Sequence, residues 1–175
     1  KVYMKHDAKH LLLESKDIME SAISHQFLRC KIEDKPARIA KFLEKRSTER
    51  GLIFCRSKAG AITLGAILNE KGFKTGVLQG NLSQKDREKI MRAFIKERIQ
   101  YVVATDVAAR GIDIEGLSFV IHHQLPESSE YYIHRSGRTA RAGRTGTSFA
   151  LIAGRDAQQM HIIEKELKIR FQQIA

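Results

Sequence analysis

The chain has 175 residues, with 31 lysines and arginines against 20 acidic residues, a formal net charge of +11, and a composition 42% hydrophobic and 29% charged. That is the balance of one folded domain with a real core, and no apolar run approaches the ~20 residues of a membrane-spanning helix. The excess of cations suits a polyanionic partner through phosphate attraction and counterion release, without separating RNA from DNA or an acidic membrane surface.

Residues 1–22 carry mixed signals and read as a linker or N-terminal extension, with no apolar signal core; a cytoplasmic protein is expected. His6 and His10 share a helical spacing, but a solvated face is the plainer reading there. From about residue 23 an α/β rhythm begins. His25 to Ile32 alternates as a strand, and Pro36 sits near the first turn of a helix running to Leu43. A strand Gly51–Cys55 precedes a helix Ala59–Lys71, closed by Gly72, and Thr75–Leu78 is the next strand. Ser83 caps a helix from Gln84 to about Glu97.

Tyr101–Ala104 and Phe119–Ile121 read as buried strands, Ser128–Arg135 as a helix, Thr147–Ile152 as a strand and Asp156–Leu167 as a last helix. Such alternation predicts a mostly parallel sheet covered on both faces over residues 23–175. Sites in these folds lie beyond the carboxyl ends of the strands, where this sequence places Arg56, Ser57, Gly80, Asn81, Thr105, Asp106 and Asp113. Cys30 and Cys55 form no Cys-x-x-Cys pair, so two buried thiols are expected, with no disulfide scaffold and no metal site. His122 and His123 are adjacent in a strand and point to opposite faces.

Three segments carry chemistry. His134-Arg-Ser-Gly-Arg-Thr-Ala-Arg-Ala-Gly-Arg144 sets Arg135, Arg138, Arg141 and Arg144 at three-residue intervals. Four guanidiniums so close repel unless an anion neutralises them, and their planar fork fits phosphate oxygens. A solvated basic helix end is the alternative for the charges alone. Ala104-Thr-Asp-Val-Ala-Ala-Arg-Gly-Ile-Asp113 puts a hydroxyl and a carboxylate at a strand end, although Thr105-Asp106 could simply cap a helix. Gly80-Asn-Leu-Ser-Gln-Lys-Asp-Arg87 is a glycine turn leading into a helix N-terminus, where backbone amides favour a phosphate; an ordinary capped helix reads equally well.

Taken in order, these blocks resemble the C-terminal motifs of DEAD-box RNA helicases. Leu52–Ser57 resembles motif IV, Gln84-x-x-Arg87 the QxxR motif, residues 104–113 motif V and 134–143 motif VI. The resemblance runs from about residue 23 to 170 and implies a RecA-like three-layer α/β sandwich, the second motor domain of an ATP-dependent helicase. It implies that Arg138 and Arg141 reach the ATP γ-phosphate as arginine fingers. Asp113 would hold the ribose, and His134, Arg135 and Arg110 would engage the partner domain. Thr105, Arg87 and Gly80 would meet the RNA backbone, braced by Gln84, giving little sequence preference.

Three positions depart from the family pattern: Ser136 stands for Ile, Ala140 for Gly, and Gln124 for Asp. Motif IV also ends in Arg56-Ser57-Lys58 where Asn-Thr-Lys is common. The sequence holds neither a phosphate-binding G-x-x-x-x-G-K-[ST] loop nor Asp-Glu-Ala-Asp. By resemblance both belong to a first RecA-like domain preceding Lys1, which would also hold the Mg²⁺ that accompanies ATP. This chain alone is therefore expected to be a monomeric, inactive half, binding single-stranded RNA weakly and unwinding short duplexes only in the longer protein. A non-catalytic RNA-annealing or protein-docking module is the alternative, and a DNA helicase half a third reading.

Overall fold

The computed structural model describes Asp17, Met19 and residues 21–175. Among these, seven strands make one sheet: β1 (Ile23–Arg29), β2 (Gly51–Phe54), β3 (Thr75–Leu78), β4 (Tyr101–Ala104), β5 (Phe119–His122), β6 (Gly146–Ile152) and β7 (Gln172–Gln173). Between successive strands lie α1 (Lys35–Glu44), α2 (Lys58–Glu70), α3 (Gln84–Ile95), α4 (Asp106–Ala109), α5 (Ser129–Ser136) and α6 (Asp156–Leu167). The strand order is β3-β4-β2-β5-β6-β1-β7, and every pairing is parallel. Parallel neighbours cannot be joined by a tight hairpin, so each connection crosses over a face through a helix. Three layers result, as the RecA-like resemblance implies.

Alternation along the strands decides which helices cover which face. Ile53, Tyr101, Val103, Phe119 and Ile121 point toward α1 and α2, meeting Ile39, Leu43, Leu64 and Leu68. Leu52, Phe54, Val102 and Val120 point the other way, against Phe94 of α3 and Ala108 and Ala109 of α4. Phe27, Ala150 and Ile152 continue that core under Tyr132 of α5 and Met160 and Ile163 of α6. Truncating a fully buried residue such as Leu43 (0% exposed) would cost about 2–5 kcal/mol.

Helix starts follow local chemistry. Ser57 accepts from Gly60 N–H, Ser83 from Asp86 N–H and Ser128 from Tyr131 N–H, each satisfying a donor the helix itself cannot. The buried Lys35 ammonium donates to Asp156 Oδ2 at 3.0 Å and to the His123 carbonyl. Asp156 also accepts from Leu125 and Ala153 N–H. That saturated pair locks the loops after β5 and β6.

Several boundaries differ from the sequence reading. β1 spans Ile23–Arg29 and not His25 to Ile32: its partner β6 ends at Ile152, opposite Arg29. The chain then turns through a 3-10 segment, Ile32–Asp34. Helix α3 stops at Ile95, with Glu97 in a left-handed conformation (φ 59°). Helix α4 and strand β7 are too short to leave a periodic signal. Cys55 is buried as expected, but Cys30 is only half-buried, because it lies where the chain leaves the sheet; both are free thiols. His6 and His10 lie outside the described residues, as does most of the 1–22 extension; Met19 is buried against Ile23 and Ala140.

Candidate functional site

The carboxyl ends of the strands carry the site, as the topology requires. The ends of β3, β4 and β2 are neighbours, so Gly80-Asn81, Thr105 and Arg56–Lys58 fall side by side. Lys58 Nζ donates to Asn81 Oδ1 at 2.8 Å. A Cβ on Gly80 would come within 3.2 Å of Lys58 Cε, so glycine lets that lysine cross the turn. Thr105 is buried at the N-cap of α4, yet its side chain makes no capping bond. The caution that Thr105-Asp106 merely caps a helix is thus half met: position without hydroxyl contact.

Arg87 reaches out of α3 and donates through Nη2 to the carbonyls of Ala108 and Arg110, the latter at 3.0 Å. The residue expected at a phosphate therefore also holds the 104–113 loop. Gln84 is exposed and bonds Glu88 one turn on.

On the other side of Thr105 opens a cleft of about 250 Å³, lined by Phe54, Asp106, Ala109, Arg110, Glu130, Tyr131, His134, Arg135 and Arg138. Five of these come from the arginine-rich segment and its helix, the rest from β2 and residues 106–110. Arg138 donates to the carbonyls of Ile112 and Ala109; among the described residues no carboxylate pairs with it. Arg141 is half-exposed and pairs with Glu115 at 2.7 Å, a surface pair of the kind that contributes only about 0–1 kcal/mol. Arg110 lies over the Tyr131 ring, 5.4 Å from its centroid, and donates to its hydroxyl. His134 is exposed, 3.6 Å from Glu130. Asp113 is exposed beside Ile112, whose carbonyl Arg138 holds.

Arg135 differs from the other arginines. It is 3% exposed, and its Nε and Nη2 grip both oxygens of Asp106 at 2.7 and 2.6 Å. Its Nη1 donates to the Gln124 carbonyl at 2.9 Å, and the guanidinium covers the Phe54 ring. The fork is thus spent inside the chain, welding the 134–143 segment to the 104–113 loop. Gln124 adds a second tie, accepting from Arg56 N–H through its side chain.

Sequence reasoning missed Tyr131 as the seat of Arg110, Asp106 as the partner of Arg135, and Lys58-Asn81 as a unit. Each joins residues far apart in the chain, so no local spacing announces them. Ser136 is fully buried, its Oγ 2.9 Å from that of Ser148. Ala140, where glycine is usual, adopts φ 56° with a buried methyl. Directly alongside, Gly146 is obligatory: a Cβ there would fall 2.0 Å from Thr139 Oγ1.

A RecA-like sheet whose switch-point cleft is walled by arginines defines a motor-domain half of the helicase type. Residues 34–143 match the family described as helicase conserved C-terminal domain, and the chain belongs to that family, in its DEAD-box branch. It is 34% identical over 165 residues to the DEAD-box ATP-dependent RNA helicase CshB of Bacillus subtilis, covering 94% of this chain and 37% of that relative. Among solved structures, it matches the Escherichia coli DEAD-box protein SrmB, bound there to regulator of ribonuclease activity A. That match has a TM-score of 0.84 and 31% identity, over 89% of this chain and 92% of the other. A DEAD-box protein from Methanococcus jannaschii matches with a TM-score of 0.82 and 34% identity, over 89% of this chain and 42% of that one. The chain thus spans well under half the length of the curated relative it matches.

Proposed function

We propose that this domain supplies one wall of an ATP site and one half of an RNA groove in an ATP-dependent RNA helicase, the rest coming from a first RecA-like domain. The observation that carries the reading is Arg138: a guanidinium in an open cleft, held, among the described residues, only by backbone carbonyls. Such a cation is best satisfied by an incoming anion. With Arg141, released from its weak surface pair with Glu115, it would stabilise the charge that develops on the transferring phosphoryl group. Asp113 would accept from the ribose hydroxyls. His134 and Arg110 would face the partner domain, and Arg135 would act on that boundary through Asp106. Mg²⁺, held by the first domain, would neutralise phosphate charge.

Thr105, Gly80 and Arg87 would line a groove for the RNA sugar-phosphate chain, with Gln84 as a brace and Lys58 added by its seat on Asn81. Backbone contacts of this kind position a strand without reading bases, and closure of two domains on a bent strand would separate short duplexes. The test is ATP turnover by a protein carrying both motor domains, with matched single-stranded RNA and DNA at one salt concentration. Stimulation by RNA, and none of it from this chain alone, is expected. Turnover by the isolated chain, or equal stimulation by DNA, would count against the reading.

A further inference from the structure

Behind the cleft runs a line of buried polar groups that the proposed chemistry does not use. His25 of β1, Ser148 of β6 and His122 of β5 sit on neighbouring strands, and His25 is the direct register partner of Ser148. Tyr132 and Ser136 of α5 close over them. His122, Tyr132, Ser136 and Ser148 are 0% exposed and His25 is 5% exposed. Successive separations are 3.4 Å from Arg135 Nη1 to His122 Nδ1, 2.9 Å from His122 Nε2 to Ser148 Oγ, and 3.0 Å from Ser148 Oγ to Tyr132 Oη. The line continues with 2.7 Å from Tyr132 Oη to His25 Nδ1 and 2.8 Å from His25 Nε2 to the Met19 carbonyl.

The two ends fix the direction of every bond. A guanidinium only donates, so His122 Nδ1 accepts and its Nε2–H donates to Ser148. A carbonyl only accepts, so His25 Nε2 carries hydrogen and its Nδ1 accepts from the Tyr132 hydroxyl. That hydroxyl's hydrogen being committed, Ser148 O–H donates to Tyr132, and Ser136 O–H donates to Ser148. Burial keeps both imidazoles neutral, with the Arg135 charge adding to the effect at His122. All five bonds then point one way, from Arg135 to Met19.

We propose that this relay positions the Arg135–Asp106 pair, and through it the cleft, according to where the Met19 carbonyl sits. His25, Tyr132, Ser148 and His122 are positioning residues; none of them lines the cleft. The physical reason is that, among the described residues, both nitrogens of each imidazole and the Tyr132 hydroxyl bond only to other members of the line or its ends. If the Met19 carbonyl moves away, His25 loses its acceptor and its tautomer, and each following group must turn or be left unsatisfied in the interior. The last group able to respond is Arg135, whose other N–H groups hold the Gln124 carbonyl and both oxygens of Asp106, and hence the 104–113 loop. The kinetic consequence rests on the reading of that cleft as half of an ATP site; the coupling itself does not.

Two measurements test it. Nitrogen-15 spectra of this chain should show both His25 and His122 as Nε2–H tautomers; the Nδ1–H tautomer at either would overturn the relay. In Tyr132→Phe, which removes one hydroxyl, hydrogen exchange at Arg135 Nε–H should quicken by a factor of about five. Exchange equal to wild type would overturn the proposal. In a protein carrying both motor domains, kept below its unfolding transition, the same variant should lose a similar factor in kcat with the KM for ATP unchanged. Faster exchange with unchanged kcat would reduce the relay to a stabilising network and overturn its positioning role. Should Tyr132→Phe not fold, Ser148→Ala breaks the same chain at its node and is held to the same criteria. Absence of ATP turnover in the wild-type protein would sink the site reading, while the spectra still decide the coupling.

Discussion

Arg135 and Asp106 lie 29 residues apart in the chain and form a forked ion pair, with Nε and Nη2 at 2.7 and 2.6 Å from the two carboxylate oxygens. The pair joins the helix that ends in the arginine-rich segment to the loop beyond β4. Replacing Asp106 with Asn would leave Arg135, 3% exposed, with its charge uncompensated. Breaking one side of such a pair costs about 3–5 kcal/mol. Urea denaturation should show a loss of this order; a change under about 1 kcal/mol would mean that the pair behaves as a surface bridge.

Stability should fall on mild acidification. His25, His122 and His123 all have pKa values lowered from the ordinary 6.5, in each case chiefly by burial. Below about 6.5 the unfolded chain takes up protons that the folded chain refuses. The contribution of these histidines is therefore complete above that pH and is lost as pH drops toward their lowered folded values. Urea midpoints should be level from pH 8 to 7 and decline from 6.5 to 5. In His122→Asn the decline should be shallower; an equal slope would contradict the assignment.

The two thiols should differ in reactivity. Burial pushes the Cys55 pKa up to about 12, and its side chain is 1% exposed. Cys30 is also raised by burial, but it is half-buried where the chain leaves β1. Since the thiolate is the nucleophile, iodoacetamide at pH 8 should label Cys30 slowly and Cys55 only after unfolding. Labelling of both at equal rates in native buffer would contradict this packing.

Ala142 is exposed with φ 56°, a conformation that costs a non-glycine residue about 1–2 kcal/mol. Glycine there loses about 0.5–1 kcal/mol through unfolded-chain entropy, so Ala142→Gly should leave stability unchanged or raise it by up to about 1 kcal/mol. Ala140 shares the conformation, but its methyl is buried against Met19 and Ile23. Losing that methyl costs about 0.8 kcal/mol, so Ala140→Gly should be the less stable of the two variants in thermal unfolding. The reverse order would contradict the packing described for Ala140.

These contrasts mark what was legible in the sequence. Apolar runs such as Leu52–Phe54 and Tyr101–Ala104 announce buried parallel strands, and the serine caps announce the helices that follow. Of the regularly spaced arginines at 135–144, Arg135 and Arg138 line the cleft, whereas Arg141 pairs with Glu115 outside it. What stayed hidden was polar and non-local. Nothing in the alternating run from His25 marks that histidine as a core residue, yet it is buried, with Tyr132 and Met19 satisfying both ring nitrogens. Arg135 reads as one cation among four, and only the fold reveals that its charge is already matched. Strand β7 carries two glutamines and no apolar signal at all; pairing with β1 alone makes it a strand.

In the proposed function, Arg138 meets the phosphates of ATP in the cleft. The most direct test of that role is steady-state ATP turnover at saturating RNA in the protein carrying both motor domains, comparing wild type with Arg138→Ala. An arginine finger contributes about 10³–10⁵ in rate, so kcat should fall by at least about 10³, with circular dichroism unchanged. Wild-type turnover in Arg138→Ala would contradict the account.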